Sequence, residues 1–190
     1  MIKKRVKKIE EIDFNLYGIS QESLDYFKKN KPHSFRESLA GRILVAEIAA
    51  VHKTEINDFL KQSLTSFTFK DFFWSMAHKN NFVSAGISDK PIGVDLEIIK
   101  KKDEILFDTL SEEEWEILGD KNWLNFYVGF SAKEAVLKLF SLEFDQLSHV
   151  LIRDKRDNNL ILQHDNKEAF VNLEMQDDLV FAISWQNIEN

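Results

Sequence analysis

The chain has 190 residues, of which 44% are hydrophobic and 30% charged, enough for one sizeable domain or two small lobes and too apolar for wholesale disorder. With no cysteine, it can hold no disulfide, thiolate metal site, iron–sulfur cluster or cysteine nucleophile, and a reducing, cytoplasmic location fits. A formal charge of −7 argues against a general nucleic-acid binder.

Lys3, Lys4, Arg5, Lys7 and Lys8 open the chain, but no apolar stretch follows them as a signal peptide requires. No run of about 18 apolar residues occurs, so no membrane-spanning helix is expected. Ser34-Phe35-Arg36-Glu37 has the pattern of a capping box, and Leu39, Ile43, Ala46 and Ala50 then recur at helical spacing, predicting a helix over 34–51. Phe82 to Ser88 and Ile92 to Ile98 read as strands joined by Asp89-Lys90-Pro91, a hairpin by its turn chemistry. A second capping box, Ser111 to Glu114, predicts a short helix ending at Gly119, and a longer helix is expected from about Trp123 to Phe140. After residue 147 the texture changes to short β-rich runs. Val150 to Ile152, Leu160 to Gln163, Phe170 to Leu173 and Leu179 to Trp185, with the polar turns at 157–159 and 176–178, predict an antiparallel meander. Helix followed by strands in each half gives an α+β fold class.

Two clusters carry potential chemistry. In Gly93-Val94-Asp95-Leu96-Glu97 the strand period of two sends Asp95 and Glu97 to the same side, with Cα atoms roughly 6.5–7 Å apart, within reach of one cation. Gly93 beside them leaves room for a ligand. Taken alone, the pattern reads more readily as an exposed strand face with two solvated acids than as a metal site. In Phe130-Ser131-Ala132-Lys133-Glu134-Ala135-Val136-Leu137-Lys138, Glu134 and Lys138 stand four apart on one helical face, a spacing that also decorates many helix surfaces. His78 lies upstream, and the other four histidines have no metal-binding spacing.

In combination, His78, the Gly-Val-Asp-Leu-Glu strand and the Phe-Ser-Ala-Lys-Glu-Ala-Val-Leu-Lys helix resemble the signature of the 4′-phosphopantetheinyl transferases, and by size and order the surfactin-synthetase type. The resemblance is specific over residues 74–138. It implies two pseudo-symmetric α/β lobes with antiparallel sheets and a cleft between them, residues 1–90 and 91–190 with no linker, in a monomer that acts as a pseudo-dimer. It also implies a transferase that moves the phosphopantetheine arm of coenzyme A to a serine of an acyl or peptidyl carrier protein. Such proteins serve fatty-acid, polyketide or nonribosomal peptide synthesis.

By the same resemblance, Asp95, Glu97 and Glu134 are ligands of Mg2+, which prefers hard oxygen donors. Glu134 is also a candidate base for the carrier serine, Lys138 contacts the phosphate under attack, Lys133 a neighbouring phosphate, and His78 a phosphate of the nucleotide. The family's Ser-His-Ser is Ala77-His78-Lys79 here, so Lys79 stands to take over phosphate binding, and the Gly-Lys-Pro that seats the adenine is missing, with Lys70 nearby. Lys28, Lys29, Lys31, Arg36 and Arg42 are available for the 3′-phosphate. The alternatives are a non-catalytic carrier-binding module with the same fold, and an α+β interaction domain whose matches are coincidental.

Overall fold

The computed structural model of the protein describes residues 1–15, 18–52, 54–64 and 66–186. It is an α+β structure with two antiparallel sheets, and the chain divides into two compact units at the Lys90–Pro91 bond.

In the first unit, β1 (Lys3–Lys8), β2 (Thr68–Phe69), β3 (Phe72–Lys79) and β4 (Phe82–Ser88) form a sheet in the order β1-β4-β3-β2. The basic opening of the chain is thus an edge strand, whose lysines keep its free side from templating further strands. Helices α1 (Gln21–Asn30), α2 (Phe35–Ala49) and α3 (Ile56–Gln62) cover the sheet around Phe27, Ile43, Phe59 and Trp74. Ser34 does sit at the start of α2, but its hydroxyl lies 3.0 Å from Ser38 Oγ and caps no backbone N–H, so the expected capping box is not formed. Arg42 is not available for a phosphate. It is buried against the Phe27 and Trp74 rings, donates to Ser63 Oγ, Ser63 O and Ser38 O, and burial lowers its pKa to about 10.

In the second unit, β5 (Ile92–Ile98), β6 (Leu151–Arg156), β7 (Asn159–His164), β8 (Lys167–Gln176) and β9 (Leu179–Trp185) form a sheet in the order β5-β9-β8-β7-β6. β6 to β9 are the expected meander. Asp157 and Asp177 take positive φ of 53° in its turns, where a short polar side chain tolerates the left-handed region. Ser111 and Glu114 form the second capping box of α4 (Glu112–Leu118), and Gly119, at φ 105°, closes that helix. Helix α5 (Trp123–Phe140) lies against β5 and β9.

The expected hairpin of β4 and β5 is not formed. β4 pairs with β1 and β3, and β5 pairs with β9, so Asp89-Lys90-Pro91 passes from one sheet to the other. The reason is burial: β5 is buried along Ile92–Glu97 on both faces, which a solvent-exposed ribbon could not provide, and α5 covers one of those faces.

Gly93 sets how close that helix comes. A Cβ at Gly93 would stand 1.8 Å from Ala135 O and 2.7 Å from both Leu139 N and Ser184 Oγ, so the space beside the acids that the sequence suggested for a ligand is filled by the backbone of α5. Ser184, opposite Gly93 in the β5–β9 register, donates its hydroxyl to Ala135 O at 2.8 Å, tying helix to sheet at the same point. Gly93→Ala should push α5 off β5 and cost about 1–3 kcal/mol or more, read as a fall of several degrees in the thermal midpoint by circular dichroism.

Candidate active site

The contact at Gly93 brings the helical carboxylate onto the strand. Ser131, Glu134 and Lys138 follow one another at i, i+3 and i+7, a polar stripe on a helix whose buried residues are otherwise mostly apolar. β5 runs beneath α5 and supplies Asp95 and Glu97, both buried rather than solvated, at 3% and 4% exposure. Carboxylate oxygens of Asp95, Glu97 and Glu134 all lie within 4.8 Å of one another, so the three predicted acids are brought together.

Their surroundings show how the charge is handled. Asp95 is gripped at both oxygens: Ser131 Oγ donates to Oδ2 at 2.9 Å, and Lys138 Nζ donates to Oδ1 at 2.7 Å and to the Val94 carbonyl at 2.9 Å. Glu134 hydrogen-bonds Asp95, and two carboxyl groups can do so only if one of them carries a proton. Burial, then the Asp95 charge, push Glu134 from 4.5 up to about 8, with Lys138 opposing and Glu97 adding to the rise. Without a cation the surroundings therefore favour the protonated form of this acid. This donor set fits a hard dication: three carboxylates within one ion's reach, one of them held by a proton where a cation would replace it.

Lys133, expected at a phosphate, is not brought to this group. It lies one residue from Glu134, about 100° around the helix, and points into the core at 1% exposure. There its ammonium bridges both oxygens of Glu114, at 2.7 and 2.8 Å. Glu114 also accepts from Ser111 N and from Ile152 N, each at 2.9 Å, so one carboxylate joins α4, α5 and β6. Burial lowers the Lys133 pKa while Glu114 opposes the fall.

His78 and Lys79 belong to the first unit, on β3, opposite Val83 and Phe82; His78 is exposed and Lys79 half-buried. Lys70 sits in the turn between β2 and β3 with φ 51° and is bound to Glu55 Oε1 at 2.5 Å. Sequence reasoning missed two residues that shape the site, Ser131 and Glu114. The helical stripe 131/134/138 signals the first. For the second, the capping box showed one role of the glutamate and hid the other.

Residues 91–184 match the family model of the 4′-phosphopantetheinyl transferase superfamily, and the matched stretch contains the three acids. No curated protein matches the chain. The match supports phosphopantetheinyl transfer as the general activity, and transferases make up the family. Among the described residues no helix is long and apolar enough to cross a membrane.

Two measurements test this geometry. Because the Glu134 pKa is raised on folding, the unfolded chain releases this proton first as pH rises, and the stability it contributes below pH 4.5 is lost progressively up to about 8. With chelator present, the thermal midpoint should fall over that window, and Glu134→Gln should flatten the fall. Lys133→Met should cost about 3–5 kcal/mol in urea unfolding by leaving Glu114 charged and unpaired, and adding Glu114→Gln should recover part of it.

Proposed function

We propose that the protein is a magnesium-dependent 4′-phosphopantetheinyl transferase of the surfactin-synthetase type, acting as a cytoplasmic monomer in which residues 1–90 and 91–190 are its two lobes. Its substrates are coenzyme A and an acyl or peptidyl carrier protein. The observation that carries this reading is the meeting of buried Asp95 and Glu97 with half-buried Glu134, within 4.8 Å of one another, beside Lys138, inside the region that matches the superfamily.

In the reaction, the carrier serine oxygen attacks the phosphorus of the phosphopantetheine phosphate. A new P–O bond forms, the P–O bond to the second phosphorus breaks, and adenosine 3′,5′-bisphosphate leaves with the electron pair. Asp95, Glu97 and Glu134 would hold Mg2+, whose chemistry there is to neutralise and orient the pyrophosphate. Glu134, as a carboxylate, would be one of those ligands, and it is also the group positioned to accept the serine proton, directly or through a water. Binding to the ion weakens it as a base, so the two duties compete on one side chain. Lys138 stabilises charge on the phosphate under attack. His78 and Lys79 bind phosphates of the nucleotide. Lys133, held by Glu114, keeps α5 in register and leaves phosphate binding to the others.

A second reading, a carrier-binding module without turnover, is favoured by one observation: Ala77 and Lys79 stand where the family signature has hydroxyls. Incubation with coenzyme A, Mg2+ and apo carrier protein should add one phosphopantetheine to the carrier by mass spectrometry. No mass gain with any of several carriers would select the module. Asp95→Ala and Glu134→Ala should each slow transfer at least ~100-fold with an unchanged circular-dichroism spectrum, and chelation should stop it.

A further inference from the structure

Lys138 holds a position built like a cation site. Its ammonium is 2.7 Å from Asp95 Oδ1 and 2.9 Å from the Val94 carbonyl, two hard oxygens of the kind that take magnesium, while Ser131 fixes the other Asp95 oxygen at 2.9 Å. A dication approaching the three carboxylates meets Asp95 with one oxygen under Ser131 and the other under the lysine. The two lysines of the helix differ in what they can do next. The Lys133 side chain is 1% exposed and locked on Glu114, whereas that of Lys138 is 35% exposed, on a flexible four-carbon stem.

We propose that Lys138 is a resident counter-ion: it occupies the position on Asp95 Oδ1 that a dication would take, and on arrival of the ion its ammonium changes partner and pairs with the incoming pyrophosphate. This rests on the transferase reading above and adds to it a coupling between two ligands. Metal alone displaces the lysine from Asp95 and leaves its ammonium only the Val94 carbonyl and solvent, with no anion in exchange. Metal together with a pyrophosphate gives the ammonium a new anionic partner, so each ligand tightens the binding of the other. The coupling between the two ligands is therefore built into one side chain. Free metal binds weakly, and the site fills when nucleotide and ion arrive together.

The test is Mn2+ binding to the full chain, followed by electron paramagnetic resonance at fixed pH, with and without coenzyme A. Asp95→Asn identifies the signal from this site. In the wild-type protein coenzyme A should tighten Mn2+ binding by about tenfold or more. Lys138→Met should bind Mn2+ alone several-fold more tightly than wild type and gain less from coenzyme A, since only direct phosphate–metal contact remains. Equal or weaker Mn2+ binding by Lys138→Met, or an equal gain from coenzyme A in both proteins, would overturn the proposal. Removing a positive charge also strengthens metal binding by simple Coulomb relief, so wild-type protein with 15N-labelled lysine supplies a second readout. The Lys138 ammonium resonance should shift on adding Mg2+ and coenzyme A together; an unmoved resonance contradicts the exchange. Transfer to carrier with an unmoved resonance removes this proposal alone. A shifted resonance with no transfer to any carrier supports the exchange and removes the transferase reading.

Discussion

Three carboxylates drawn into one largely buried group cannot all be ionised unless positive charge enters with them, because desolvation and mutual repulsion both act against the anions. The second unit answers with three devices. Lys138 sits on one oxygen of Asp95, Ser131 hydrogen-bonds the other, and Glu134 retains its proton. The positive charge of a lysine and the proton of a carboxyl group thus balance acids whose spacing fits a single cation. Charge across the sequence makes the point sharper: 21 of the 32 acidic residues fall in 91–190, against 10 of the 25 basic ones. The unit as a whole thus offers a field that favours cation entry.

Holding repelling groups together needs a rigid frame, and the buried Glu114–Lys133 pair supplies part of it. The carboxylate satisfies the N-terminus of α4, the backbone of β6 and the ammonium from α5 while itself only 2% exposed. Two successive residues of α5 therefore divide the work. Lys133 fixes the rotation of the helix from the core side, and Glu134 faces the strand as a result.

The parts legible in sequence were those fixed by local chemistry. The long helix, the capping box at Ser111 and the polar turns of the meander all follow from signals contained within a few residues. The acids were legible too, because strand alternation put Asp95 and Glu97 on one side and helical spacing put Glu134 near Lys138. Failures came where distant partners decide. Asp-Lys-Pro turns the chain equally well into a hairpin or between two sheets, and only the partners of β4 and β5 distinguish them. Strand β1 carries mostly lysine and arginine, and its pairing with β4, some 80 residues away in sequence, makes it a strand. Lys133 shares a motif with Glu134, yet the residue that claims it lies 19 positions upstream.

The glycine at 93 carries a consequence for variation within such a site. Where helix and sheet are separated by side chains, their spacing drifts whenever a methylene is gained or lost. Here main chain rests on main chain, with Ser184 bonded across the seam, so the gap between the two sources of carboxylate is a fixed dimension of the peptide itself. A side chain at 93 would lengthen that dimension directly, so the absence of one atom type at a single position sets the reach between strand acids and helix acid.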